Sequence, residues 1–211
     1  QRLGYFENFG YARACHELLK AAWKDGYEAL VLANDDVVCR PGYVEACSEV
    51  LQKEHAVAYV STPSTNCGPF PKLNERGDGN TNTQGCDEGY VLELMSVAPV
   101  IRLDAAEKLG FWPTMYFQHS SETHFCWDLW RHNFRVWQLK DEFLHHYEGG
   151  QGKAILGEAR DTIIQQDTWR LYWWWGHLPI AEWELIKRVA PFLYKYAFLR
   201  HRLCENYGIP V

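Results

Sequence analysis

The chain has 211 residues, of which 47% are hydrophobic and 15% aromatic, and it carries a net charge of −6. This composition excludes a disordered segment, and the acidic balance excludes a basic nucleic-acid-binding surface. No apolar run approaches the roughly 18 residues that a membrane-spanning helix needs.

One sizeable core is the expectation at this length. The seven cysteines are Cys15, Cys39, Cys47, Cys67, Cys86, Cys126 and Cys204, an odd number with no CxxC pair. They suit reduced thiols in the cytoplasm better than a disulfide framework or a zinc site. No signal-peptide pattern opens the chain, and Gln1 in place of Met sets the expectation of a natural start upstream.

In chain order, Asn8-Phe9-Gly10-Tyr11 is a turn signal. From Ala12 to Lys24 the residues Ala14, Leu18, Ala21 and Ala22 recur at helical spacing, and Asp25-Gly26 closes that helix. Glu28 to Val38 starts as an apolar run without alternation, which predicts a strand buried on both faces. It ends in Asp35-Asp36. Pro41-Gly42 is a turn, Tyr43 to Lys53 a helix, and Ala56 to Ser61 a further strand. Alternating strands and helices predict a mostly parallel sheet with covered faces.

Thr62 to Tyr90 is rich in Gly, Asn, Pro and Thr and reads as a long loop that helps choose a ligand. Val91 to Ile101 returns to strand, and Leu103 to Leu109 is a helix ended by Gly110. Phe125 to Arg131 predicts an amphipathic helix, Phe134 to Leu139 a strand, and Phe143-Leu144-His145-His146 follows it. The organisation expected is a core over 1–150 and a helical, aromatic extension over 151–211 packed on it.

Three polar clusters interrupt apolar elements: Asp35-Asp36, Ser121-Glu122 and His145-His146. Carboxylates at the carboxyl edge of a parallel strand stand where open α/β folds bind ligands, and two of them suit a hard divalent cation with phosphate oxygens. A plain reading remains beside this one, with Asp36 capping a turn, Ser121 capping a helix and Glu122 meeting its dipole. Trp173-Trp174-Trp175 is either core or a sugar-stacking platform. Nucleophile elbows, phosphate loops and Gly-x-Gly-x-x-Gly turns are absent from the sequence, so a nucleotide would need the metal.

The order of these clusters resembles the family 2 glycosyltransferases of the GT-A fold. Asn8-Phe9-Gly10-Tyr11-Ala12 resembles their Asn-x-Gly-Phe-Ala segment, and Asn34-Asp35-Asp36-Val37 their Asp-x-Asp motif. Leu103 to Gly110 with Tyr116-Phe117 resembles the run before their Glu-Asp pair, which Ser121-Glu122 replaces here, with Cys126-Trp127 beyond. Phe143-Leu144-His145 resembles the strand with a metal-site histidine, and Tyr172-Trp173-Trp174-Trp175-Gly176 a C-terminal aromatic motif.

The resemblance implies a metal-dependent, inverting transferase that moves a sugar from a nucleotide-sugar donor to a glycan or lipid-linked acceptor. Asp35 and Asp36 would meet Mn2+ or Mg2+ and the donor diphosphate, with Arg13 and Gly10 beside the donor. Glu122 would be the catalytic base, and His145, or failing it His146, would complete the metal site. Members carry a strand-helix-strand unit before the Asn-x-Gly segment, whereas seven residues precede Asn8 here. An upstream segment or partner chain is therefore expected to complete the nucleotide site. Two rival readings share the fold or the acids: an inactive glycan-binding or scaffold domain, and a metal-dependent nucleotidyltransferase or pyrophosphatase. Lys187, Arg188, Lys195, Arg200 and Arg202 interleave with Phe192, Tyr194, Tyr196 and Phe198. Such a tail either rests on the inner face of an anionic membrane or turns its aromatics inward.

Overall fold

All five residues of Val57–Ser61 are buried, and the main sheet is built around that strand. This computed structural model describes residues 9–62, 72–77, 79–80, 88–94, 97–140, 143–147, 157 and 159–196. The elements run α1 (Tyr11–Lys24), β1 (Ala29–Val31), β2 (Val37–Cys39), α2 (Tyr43–Lys53) and β3 (Val57–Ser61). Then come β4 (Lys72–Leu73), β5 (Gly79–Asn80), β6 (Gly89–Tyr90), β7 (Val100–Arg102) and α3 (Leu103–Lys108). The chain continues with α4 (Ser121–Arg131), β8 (Arg135–Gln138), β9 (Leu144–His146), α5 (Ala159–Gly176) and α6 (Ile180–Val189). Residues 191–196 are helical as well.

The main sheet has the order β1-β7-β3-β8-β6, and β2–β9 and β4–β5 form separate two-stranded ribbons. Strand β3 pairs with β8 in parallel, while β1–β7, β3–β7 and β6–β8 are antiparallel. The expected α/β fold with a helix-flanked sheet holds. The sheet is mixed rather than mostly parallel: β1, β3 and β8 share one direction, and β7 and β6 oppose them. Parallel neighbours need a crossover, usually a helix; between β3 and β7 no helix occurs among the described residues, and β7 inserts antiparallel.

Two clusters cover the two faces of β3. Ala58 and Tyr59 join α1, α3, α4 and tail residues including Leu171, Trp175, Ile186 and Leu193. Val57 and Val60 join Tyr43, Cys47, Val50 and Leu51 of α2. Burial of these side chains is the main favourable term, at roughly 25 cal/mol per Å² of apolar surface.

Several local expectations shift. Residues of β1 are half-buried instead of enclosed, because β7 is its single sheet neighbour among the described residues. On α1 the period is right and the phase is not: Ala12, Cys15, Leu19 and Ala22 face the core, and Leu18 is exposed. Among the described residues the strand expected over Val91 to Ile101 is reduced to a bridge at Val91 and to β7 from Val100, with the Pro99 and Val97 carbonyls accepting the Leu32 and Asn34 N–H groups beside it. Helix α4 starts at Ser121, four residues before the expected Phe125, because Ser120 takes a left-handed conformation (φ 61°) that ends the preceding loop. In the tail, Phe192 is buried, Tyr194 and Tyr196 pack against the core, and Lys187, Arg188 and Lys195 face solvent. Most of the loop over 62–90, and Phe198, Arg200 and Arg202, lie outside the described residues. No helix among the described residues is long and apolar enough to cross a membrane.

Candidate active site

Topology gathers the polar clusters at one edge of the sheet. Strands β1, β3 and β8 point their carboxyl ends the same way, and the chain leaves β1 directly into Asn34-Asp35-Asp36. Helices α1 and α4 each precede a strand of that set through a short turn and pack against it, so their N-termini return to the same edge. Gly10 stands at the first of these N-termini and Glu122 at the second.

The acidic loop is held by the β2–β9 ribbon. Its register pairs Val37 with His146 and Val38 with His145, so the two histidines project from opposite faces. The chain brings His146 to Asp36, with Nε2 3.1 Å from Oδ1, and the Tyr147 N–H donates to the Asp36 carbonyl at 2.9 Å. His145 is exposed and sits edge-on to the Tyr147 ring, 4.4 Å between centroids. Geometry therefore separates the two candidates and sets His146 beside the acid. Asp35 is exposed, and Asp36 leaves 34% of its side chain accessible. Among the described residues no set of three or more His, Cys, Asp and Glu side chains converges on one point. Asp36 and His146, with Asp35 adjacent, still form a hard oxygen and imidazole donor set. Such a set fits a Mg2+- or Mn2+-type ion that draws its remaining ligands from phosphate and water.

Glu122 stands in a different environment. It is the second residue of α4, and the Ser121 hydroxyl donates to its Oε2 at 3.1 Å. Burial pushes its carboxyl up to about 7; its own backbone amide and Ser121 oppose that rise, and the charge of Asp167 adds to it. A carboxyl poised near neutrality can take a proton from a substrate hydroxyl and later release it.

The segment before α4 is pinned from two sides. At Gly10 (φ 85°) a Cβ would collide with the Phe117 carbonyl and lie 2.8 Å from Phe117 Cδ2, so the backbones meet where only glycine fits. From the other side, the fully buried Asp167 of α5 accepts the amide N–H groups of Phe117 (3.1 Å), Gln118 (2.8 Å) and His119 (2.9 Å). Arg170 closes on the same carboxylate at 2.7 Å. Arg13 is exposed, its guanidinium 5.0 Å from the centre of the Phe9 ring.

Asp167 was not among the residues that the sequence singled out. A signal existed: Asp167, Leu171 and Trp175 lie four residues apart and are the buried face of α5, so an acid occupies the apolar stripe. The Trp run divides by the same periodicity, with Trp175 buried, Trp174 partly covered and Trp173 exposed and stacked on Trp169.

No protein-family model matches the chain, and no curated protein does. Among solved structures, the mannosyltransferase PcManGT from Pyrobaculum calidifontis, in complex with GDP-Man and Mn2+, superposes with a TM-score of 0.56 at 13% identity. The chain has a GT-A-like glycosyltransferase fold. That match covers 95% of this chain and 56% of the mannosyltransferase, so the chain spans little more than half its length. TarS 1–349 from S. aureus is more distant, with a TM-score of 0.46 and 12% identity over 91% of this chain and 67% of that one.

Proposed function

We propose that the protein is a metal-dependent, inverting glycosyltransferase of the family 2 type, which moves a sugar from a nucleotide-sugar donor to a hydroxyl acceptor. The observation that carries this reading is the half-buried Glu122, its carboxyl raised to about 7 by desolvation, at the sheet edge that also bears Asp35, Asp36 and His146. The GT-A-like fold supports it.

In this reading Glu122 accepts the proton of the acceptor hydroxyl as that oxygen bonds to the anomeric carbon. Attack comes from the face opposite the nucleoside diphosphate; the carbon–oxygen bond to the diphosphate breaks, and the configuration inverts. Asp36 and His146, with Asp35 beside them, would hold the cation, whose positive charge favours departure of the diphosphate. Arg13 and the backbone at Gly10 border the donor. The acceptor is a glycan or a lipid-linked saccharide.

The deciding experiment is a thermal-shift titration of the purified protein against a panel of nucleotide sugars, with and without Mn2+. The expected result is a rise in Tm that needs both the metal and one nucleotide; a ligand at 100 times its Kd stabilises by about 2.7 kcal/mol. Asp36→Ala abolishes the rise. His146→Ala weakens donor affinity about 10- to 100-fold, the usual effect of disturbing a metal site, and His145→Ala leaves it near wild type. Turnover releases a nucleoside diphosphate; pyrophosphate as the product would instead identify a nucleotidyltransferase. A Tm indifferent to every metal and nucleotide pair would overturn the reading.

A further inference from the structure

Asp167 pairs with Arg170 on its own helix, and its three main-chain partners lead to Glu122. We propose that Asp167 is a positioning residue for the transfer reaction, a clamp by which the tail helix α5 fixes the candidate base at the sheet edge. The inference rests on the assignment of Glu122 as the base.

A carboxylate with no exposure is unfavourable unless its oxygens are fully engaged. Asp167 meets that condition through Arg170 of its own helix, 2.7 Å from Oδ1, and through one short stretch of main chain. Three successive N–H groups, those of Phe117, Gln118 and His119, point at its two oxygens. The segment curls around the acid as a nest of amides around an anion. The next residue, Ser120, is held at φ 61°, a conformation that a non-glycine residue keeps only where its surroundings impose it, at about 1–3 kcal/mol. Its hydroxyl lies 3.5 Å from that of Thr168, the neighbour of Asp167 on α5. Helix α4 then begins, and Glu122 is its second residue. On the far side Phe117 abuts Gly10, so the clamp presses the segment against the N-terminus of α1. Asp167 thus sets both the position of the first turn of α4 and part of the field at the Glu122 carboxyl. Among the described residues, Cys15 of α1, Tyr59 of β3 and Cys126 of α4 feel the charge of Glu122, while Arg170 and His119 face Asp167.

The test is Asp167→Asn, which keeps the shape and replaces an acceptor oxygen with an NH2 that cannot receive the amides. The expected kcat falls roughly 10- to 100-fold, the scale of a misplacement of about 1 Å, while KM for the donor stays within about twofold. The Phe117, Gln118 and His119 amides lose protection from hydrogen exchange. The acidic limb of the kcat profile moves to lower pH, because loss of the Asp167 charge removes a contribution that raises Glu122. Thr168→Val, at a half-buried position that tolerates the change, removes only the Ser120 contact and lowers kcat roughly 2- to 3-fold.

A kcat within about twofold of wild type in Asp167→Asn, or an unmoved pH limb, overturns the proposal. A 13C-NMR titration of the Glu122 carboxyl, assigned with Glu122→Gln, decides it without turnover: the midpoint must drop in Asp167→Asn, and an identical titration refutes the clamp. If wild type shows no transfer while that midpoint drops, Asp167 still holds Glu122 in place, but the transferase reading fails and with it the positioning role in transfer.

Discussion

Two acidic sites share one edge of the sheet and are built in opposite ways. Asp35 and Asp36 lie on a loop, half in solvent, and the partner seen at the Asp36 carboxylate is a histidine carried by a two-stranded ribbon. Glu122 lies at a helix N-terminus, buried enough to hold its proton to about 7, in a segment gripped between α1 and α5. In the proposed reading, environment gives carboxyl groups of the same chemistry different tasks. A solvated acid beside an imidazole can exchange water for a cation and phosphate. A desolvated one near neutrality can exchange a proton.

Glu122→Gln gives the sharpest separation of the two sites. It preserves shape and removes the basic oxygen, so turnover is expected to fall about 10²- to 10⁴-fold while the metal-dependent donor shift persists. In wild type, kcat should decline as pH falls through about 7, because the base must be unprotonated to accept the acceptor proton. Turnover retained by Glu122→Gln would remove the residue from that role. Loss of donor binding in the same variant would join the two sites into one.

Gly10→Ala attacks the rigid side alone. The added methyl meets backbone, which cannot rotate away, and the residue is at φ 85°. Destabilisation of about 2–3 kcal/mol is expected, read as a lower denaturant midpoint, with turnover reduced because Phe117 carries the Glu122 segment with it. A midpoint equal to that of wild type would show that Phe117 yields freely, and that this side is no more rigid than the ribbon.

The same contrast explains what the sequence could disclose. Strand β3, helix α2 and the Asp35-Asp36 exit announce themselves through local pattern: an apolar run, a helical period, and a run that stops at charge. The antiparallel insertion of β7 depends on where a long excursion returns, which no local pattern records. Choosing between His145 and His146 required the register of β9 against β2, since one residue of slip exchanges the two faces. Glu122 was visible as a polar break before a helix, but its elevated carboxyl depends on burial by partners far along the chain. Asp167, 45 residues after Glu122 in the numbering of the chain, adds its charge to that environment. Its place on an apolar stripe marks it as unusual, and only the fold shows which amides it holds.

The smallest expected effect is thermodynamic and needs no substrate. A carboxyl raised from 4.5 to about 7 on folding binds its proton more tightly in the folded state. Its favourable contribution is therefore complete below about pH 4.5 and is lost as pH rises through about 7. Glu122→Gln abolishes the titration, so the variant and wild type should have similar Tm at pH 5, and the variant should be the more stable at pH 8. Each pKa unit corresponds to 1.36 kcal/mol, and the half-buried residue keeps some solvent contact, which leaves about 1–2 kcal/mol. If the Tm difference for Glu122→Gln is the same at both pH values, burial does not raise this carboxyl, and the division of roles between the two sites loses its physical basis.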